Sequence, residues 1–126
     1  MPIHESAENY LETILILSQQ KPEVRSIDIA NELNFSKPSV SVAMKNLRNS
    51  GHILMDENGF ITLTPSGQEI ASTIYERHTL LSKALMMLGV DAATASEDAC
   101  RIEHVISTES IQAIKKHITG KENPKP

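Results

Sequence analysis

A chain of 126 residues has room for one domain, or for two small halves on a shared core, and 40% hydrophobic with 22% charged side chains excludes a disordered or fibrous chain. No apolar run approaches the roughly 18 residues of a membrane span, and the opening Met1-Pro2-Ile3-His4-Glu5 carries no secretory pattern, so a cytoplasmic location is expected. The net charge of −4 speaks against strong non-specific affinity for nucleic acid, and a single cysteine excludes an internal disulfide.

Residues 6–19 read as an amphipathic helix with Tyr10, Leu11, Ile14 and Leu17 on its apolar stripe and Glu8, Asn9 and Glu12 towards the other side. Gln20-Lys21-Pro22 ends it. Ser26 is a candidate N-cap for a helix over 27–33, with Asp28 in its first turn. Asn34 tolerates the left-handed conformation of a tight inter-helix turn. Ser36 then caps a third helix, with Pro38 where a missing N–H costs nothing and Val40, Ala43, Met44 and Leu47 facing inward. Gly51 stops that helix. Two β runs, 52–55 and 60–63, flank Asn58-Gly59, a strong hairpin signal. Thr64-Pro65 opens a long helix to about Leu88, which Gly89 breaks. Asp91 caps a helix to about Ile106, and Ser107 caps a last one to about Ile118. The expected architecture is mostly α with a small β-hairpin. Residues 1–64 form a winged helix-turn-helix, 65–119 a helical dimerisation domain, and 120–126 a disordered tail.

Three helices followed by a hairpin are the winged helix-turn-helix order, with helix 36–50 in the major groove. Charge is distributed to suit: residues 21–48 carry five basic side chains, among them Arg25, against three acidic ones. The outward side of the recognition helix offers Ser36, Lys37, Pro38, Ser39, Ser41 and Val42, then Lys45 and Arg48. Hydroxyls and backbone N–H groups at a helix start suit phosphate oxygens, and Pro38 and Val42 suit thymine methyls. No outward Arg, Asn or Gln lies early in this helix, so DNA shape is expected to carry much of the specificity. Asp56 and Glu57 put two negative charges beside the wing tip, which counts against a wing contact. A helix-turn-helix used only for protein contact is the plainer alternative.

On a helix, Cys100, Glu103 and His104 stand at i, i+3 and i+4 and share a face. Thiolate, carboxylate and imidazole together make half of a transition-metal site. Each also has a plain structural reading: a buried small apolar cysteine, a solvated Glu-His pair, a structural histidine. His78, Asn9 and Glu12 are further donors by residue type, which spacing alone does not bring together.

The run Glu8-Asn9-Tyr10-Leu11-Glu12-Thr13-Ile14, the segment from Ile27 through Phe35-Ser36-Lys37-Pro38-Ser39-Val40, the entry Leu63-Thr64-Pro65-Ser66-Gly67, Arg77-His78, and residues 99–107 occur in the order found in the diphtheria toxin repressor family. The resemblance covers nearly all of residues 5–118. It implies an iron- or manganese-dependent transcriptional repressor, with no enzymatic activity, that binds a pseudo-palindromic DNA operator as a homodimer. By position it implies a principal metal site at Asn9, Cys100, Glu103 and His104, joined in the manganese branch by Glu12 and His78. The iron branch's ancillary site shares the His78 position, but its other positions fall on Ser82 and Ser96, so that site looks degraded here. Longer members carry an SH3-like domain, for which this chain has no room. Cys100 is the iron-branch residue and a thiolate disfavours hard Mn²⁺, while Glu12 resembles the manganese branch; Fe²⁺ is expected, with Mn²⁺ as the alternative.

The expected dimer interface uses Ile70, Leu81, Leu85, Ile106 and Ile114. Metal favours the DNA-competent state, and DNA reciprocally tightens metal. Two other readings are a regulator answering to Cys100 oxidation or to no ligand, and a metalloenzyme or Cys-His nucleophile enzyme. Against the enzyme, the sequence shows no glycine-rich loop, and 3% aromatics line a substrate pocket poorly.

Overall fold

The computed structural model describes residues 5–122. Its elements are α1 (Glu5–Gln20), α2 (Ser26–Leu33), α3 (Lys37–Asn49), β1 (Ile53–Met55), β2 (Ile61–Leu63), α4 (Pro65–Met87), α5 (Ala92–Ile102) and α6 (Thr108–Glu122). The architecture is mostly α with one small antiparallel hairpin, as the sequence implies. The chain forms two compact units, one ending at Thr73 and the other beginning at Ile74. No helix of the described residues is long and apolar enough to cross a membrane.

The first unit is built on the α1 stripe. Tyr10, Leu11, Ile14 and Leu17 bury against Ile29, Ala30, Val40, Met44, Leu47, Ile53 and Ile61. Tyr10 and Phe35 meet edge to face at 6.0 Å. Glu12 departs from the sequence reading: it is 5% exposed, inside the fold rather than on the solvent side of α1. The cap of α2 also differs. Arg25, not Ser26, is the N-cap, because its N–H donates to the Asp28 carboxylate at 2.9 Å. Asn34 is left-handed at φ 58°, and the N–H groups of Asn34 and Phe35 both return to the Ala30 carbonyl, which closes the turn between α2 and α3.

Asp28 also accepts from Lys21 at 2.8 Å. The Lys21 hydrogen bond, followed by the Arg25 N–H, holds the Asp28 carboxyl below the usual aspartate range. A depressed folded pKa contributes stability that is present above the unfolded value and lost as pH falls through the folded one. Asp28→Asn is therefore expected to destabilise the chain at neutral pH by about 0.5–1 kcal/mol. The gap should begin to narrow as pH falls below about 4 and close once the folded carboxyl is protonated. Urea melts of both proteins at pH 7 and pH 3 check this; an equal gap at both would contradict it.

The hairpin pairs Ile53 with Leu63, Leu54 with Thr62 and Met55 with Ile61. Its tip is longer than a two-residue Asn-Gly turn. Asp56 N–H donates to the Phe60 carbonyl at 3.1 Å, and only Gly59 there has positive φ, at 82°. The Asp56 carboxylate accepts from the N–H groups of Asn58 and Phe60, both at 2.9 Å. Asp56 is thus the brace of the loop, and Gly59 takes the left-handed place of a three-residue connection.

The start of α4 is fixed to β1. Thr64 N–H donates to His52 O at 3.1 Å and its hydroxyl to Gly51 O at 2.7 Å. Gly67 has no room for a side chain, since a Cβ would stand 2.0 Å from the His52 carbonyl oxygen. Gly67→Ala should cost about 3 kcal/mol, because a backbone and not a flexible side chain must move. Thermal unfolding measures it; a loss under 1 kcal/mol would contradict the account.

In the second unit, Leu81, Ala99 and Ile111 form the core, with Leu80, Ile102, Ile106 and Ile114 packed against it. Leu81, Ile106 and Ile114 pack within this unit, Ile106 and Ile114 keeping part of their surface open, and Leu85 is half-buried. Ile70 packs on the core of the first unit. Large apolar side chains left exposed among the described residues from Ile74 onward are Tyr75, Met86, Met87, Leu88 and Val105. Gly89, at φ 100°, ends α4, and the Asp91 carboxylate caps α5 through the N–H groups of Ala93 and Thr94. Two boundaries move. α5 stops at Ile102 rather than continuing to about Ile106, and α6, capped by the Ser107 hydroxyl, runs through Gly120 to Glu122. Of the expected tail, 123–126 lies outside the described residues.

Candidate metal centre and nucleic-acid interface

α4 and α5 bring three donors together. Ligand atoms of His78, Cys100 and Glu103 all lie within 4.8 Å of one another. His78 faces the cluster through Nδ1, which is 2.9 Å from Glu103 Oε2 and 3.8 Å from Cys100 Sγ. Its other nitrogen, Nε2, is 3.4 Å from the Ser96 hydroxyl. The Glu103 side chain is wholly buried, and the His104 Nε2 atom stands 3.5 Å from its Oε1. Cys100 is exposed, which removes the reading of a buried small apolar residue.

The backbone around the cluster is not the continuous helix the i, i+3, i+4 spacing implies. Glu103 keeps helical dihedrals and its N–H bonds Ala99 O at 2.9 Å, but it is the C-cap of α5, and His104 lies in the following turn. Arg77 holds that turn. One guanidinium nitrogen donates to the carbonyls of Glu103 at 3.2 Å and Ile106 at 2.8 Å, and the other to the Thr108 hydroxyl at 3.4 Å. The freed helix-end acceptors are satisfied by a fixed cation, so the chain can leave the helix without a glycine or proline.

The donor set fits a divalent transition metal. Imidazole, thiolate and carboxylate are its standard ligands, and donors about 2.0–2.3 Å from an ion lie about 3–4 Å apart, close to the separations observed. A buried carboxylate packed between two histidines is a costly arrangement for structure alone and a useful one for a cation. Asn9, half-buried, and Glu12, buried, stand on α1 in the first unit. The Asn9 carbonyl accepts from the Thr13 hydroxyl at 2.8 Å.

In the first unit, Ser36, Lys37, Pro38, Ser39, Ser41, Val42, Lys45 and Arg48 are all exposed on α3, with Val42 61% exposed. The Ser36 hydroxyl is occupied: it accepts from Ser39 N–H at 3.3 Å and donates to the Ser39 hydroxyl at 2.8 Å. Ser39 is then the better phosphate donor of the two. Asn46 and Asn49, not singled out in the sequence, are also exposed on this helix. The signal was available, since 38, 42, 46 and 49 follow helical spacing opposite Val40, Met44 and Leu47. Their amides suit adenine. The exposed Arg25 guanidinium lies over the Phe60 ring at 4.5 Å, and Val24 O accepts from Ile61 N–H at 2.7 Å, which ties the lead-in of α2 to the wing. Of the two acids near the tip, Asp56 is turned onto the loop's own N–H groups.

Both halves of the chain match domains of known proteins. Residues 3–59 match the N-terminal DNA binding domain of iron dependent repressors, and residues 64–124 match their metal binding and dimerisation domain. The transcriptional regulator MntR of Salmonella typhimurium is 35% identical over 109 residues, covering 86% of this chain and 69% of that protein. An uncharacterized HTH-type transcriptional regulator of Methanocaldococcus jannaschii is 34% identical over 113 residues, covering 88% of this chain and 90% of that protein. Among solved structures, that of the manganese regulator SloR superposes with a TM-score of 0.80 at 30% identity over 94% of this chain; the chain spans about half of that structure, 55%. The relatives are named as regulators rather than enzymes. With a helix-turn-helix, a His-Cys-Glu cluster and both family domains matched in order, the chain belongs to the diphtheria toxin repressor family of metal-dependent transcriptional repressors.

Proposed function

We propose that this chain is a repressor that binds a pseudo-palindromic operator as a homodimer when loaded with a divalent metal, Fe²⁺ before Mn²⁺, in the cytoplasm. Residues 1–64 are the DNA-binding part and 65–119 the metal-binding and dimerising part. The observation that carries the reading is the convergence of His78, Cys100 and Glu103 within 4.8 Å in a chain that also presents a polar, basic recognition helix. We assign His78, Cys100, Glu103 and His104 as ligands, with Asn9 and Glu12 of α1 as further ligands on the family resemblance.

A bound ion would supply a positive charge that neutralises the Glu103 carboxylate and the Cys100 thiolate. Glu103 and Cys100 would hold it as anions, with His78 joining through Nδ1, the nitrogen that faces them. Restraint of α1 by Asn9 and Glu12 then lowers the ordering cost of presenting α3 to DNA. Loading shifts the population to the DNA-competent form, and operator DNA tightens metal by the same factor. Arg25, Ser36, Lys37, Ser39, Ser41, Lys45 and Arg48 serve the phosphates, and Pro38 and Val42 the bases.

Fe²⁺ is favoured by the thiolate of Cys100, which suits a softer ion than Mn²⁺. The second reading, Mn²⁺, is favoured by relatives named MntR and by the manganese regulator SloR. Selection of genomic fragments under anaerobic conditions, with Fe²⁺, with Mn²⁺ and with chelator, tests both. The expected result is a two-fold symmetric sequence enriched with metal and absent with chelator, at lower concentrations of Fe²⁺. Equal enrichment in chelator would remove the metal from the mechanism.

A further inference from the structure

We propose that Ser96 is a positioning residue for metal binding, holding the His78 imidazole in whichever tautomer the state of the site demands. The inference rests on the metal-binding reading above. Both nitrogens of His78 are engaged, Nδ1 with Glu103 Oε2 at 2.9 Å and Nε2 with the Ser96 hydroxyl at 3.4 Å. In the metal-free protein the Glu103 carboxylate takes its hydrogen bond from Nδ1 of His78, and the Ser96 hydroxyl is the partner of Nε2. With a metal on Nδ1 that proton would leave to water, and the ring's one remaining proton would be held on Nε2. Nε2 is then a donor and needs an acceptor.

A hydroxyl serves either state, because it can donate or accept by turning about its C–O bond. A carboxylate at 96 would only accept and would favour the loaded tautomer outright; an alanine would leave Nε2 to solvent. Ser96 sits on α5 one turn before Cys100, so the same helix carries a ligand and the group that orients another ligand. An outer partner of this kind fixes the ring plane and the nitrogen that faces the metal.

The test uses the full-length chain, with Zn²⁺ as a diamagnetic probe and a chelating dye as competitor. Ser96→Ala should weaken Zn²⁺ about tenfold, the lower end of the range for an outer-shell partner, since Ser96 is exposed to water. Ser96→Thr, which keeps the hydroxyl, should restore affinity to within about twofold. Long-range ¹H–¹⁵N spectra supply a readout that a merely structural role would not move. In the zinc-loaded wild type the His78 proton should reside on Nε2 and exchange slowly; in Ser96→Ala it should exchange faster with the thermal midpoint unchanged. Equal zinc affinity in wild type and Ser96→Ala would overturn the role of Ser96 alone, whereas a loaded His78 protonated at Nδ1 would overturn ligation through that nitrogen and the role of Ser96 with it. A wild type that binds no zinc would overturn the metal reading with it.

Discussion

Replacing Glu103 with alanine should abolish metal-dependent operator binding and leave a folded protein. Glu103 is the only ligand candidate in the cluster with no exposed surface, and it contacts both histidines, His78 at 2.9 Å and His104 at 3.5 Å. Loss of an outer-shell partner alone costs about 10–100-fold in metal affinity, so loss of this carboxylate is expected to cost more than about 100-fold. The fold itself does not need the charge, whose burial is a cost unless a cation sits beside it. The readout is the thermal shift on adding metal. Wild type at a hundred times its dissociation constant gains about 2.7 kcal/mol, whereas Glu103→Ala should gain none. Glu103→Gln, nearly isosteric and uncharged, separates the ligand role from cavity formation: it should fold like wild type and still fail to respond to metal. A Glu103→Gln protein with an undiminished metal shift would refute the assignment. His104→Ala should behave in the same direction.

Arg77→Met should be the most destabilising change in the second unit. The guanidinium bridges α4 to the turn between α5 and α6 through two carbonyls and a hydroxyl. Hydrogen bonds to a charged group contribute about 1.5–3 kcal/mol each, and methionine keeps the packing of the stem while stranding the carbonyl acceptors. A loss of about 3 kcal/mol, or roughly 10 °C in thermal midpoint, is expected. Metal affinity should fall too, because the same turn carries Glu103 and His104. Calorimetry of the metal-free protein separates the two effects. A variant that melts like wild type would mean the turn holds itself.

Local chemistry made much of the fold legible. Asn34 at φ 58°, the Ser36 cap with Pro38 beside it, the Asp91 cap and the Ser107 cap each act within a few residues, and each stands where the sequence places it. What was not legible depends on distant partners. α5 ends at Ile102 because Arg77, about 26 residues away, takes up the turn's carbonyls. Nothing in residues 102–106 is a helix breaker. Glu12 looks solvated by periodicity but is buried. Leu81 meets Ala99 and Ile111, with Ile106 and Ile114 beside them, through packing of α4, α5 and α6 that no local spacing announces.

The sites divide in the same way. Cys100 and Glu103 were legible as a pair from helical spacing, since Glu103 still follows α5 by one turn. His78 was legible as a donor by residue type, but only the family resemblance joined it to the pair, because no spacing rule links α4 to α5 across 22 residues. The recognition helix was legible in outline, with Asn46 and Asn49 missed for lying beyond its first turns. The bracing role of Asp56 was not legible, since charge alone does not say which way a carboxylate turns.

The most direct test of the central claim is anaerobic fluorescence anisotropy with labelled DNA from upstream of the chain's own gene, first in chelator and then across a titration of Fe²⁺ and of Mn²⁺. The account predicts no tight complex in chelator and tight binding once metal is present, with the metal midpoint moving to lower concentration as operator is raised. Tight binding in chelator that metal leaves unchanged would contradict it, and would reduce the His78–Cys100–Glu103 cluster to a structural feature of the second unit.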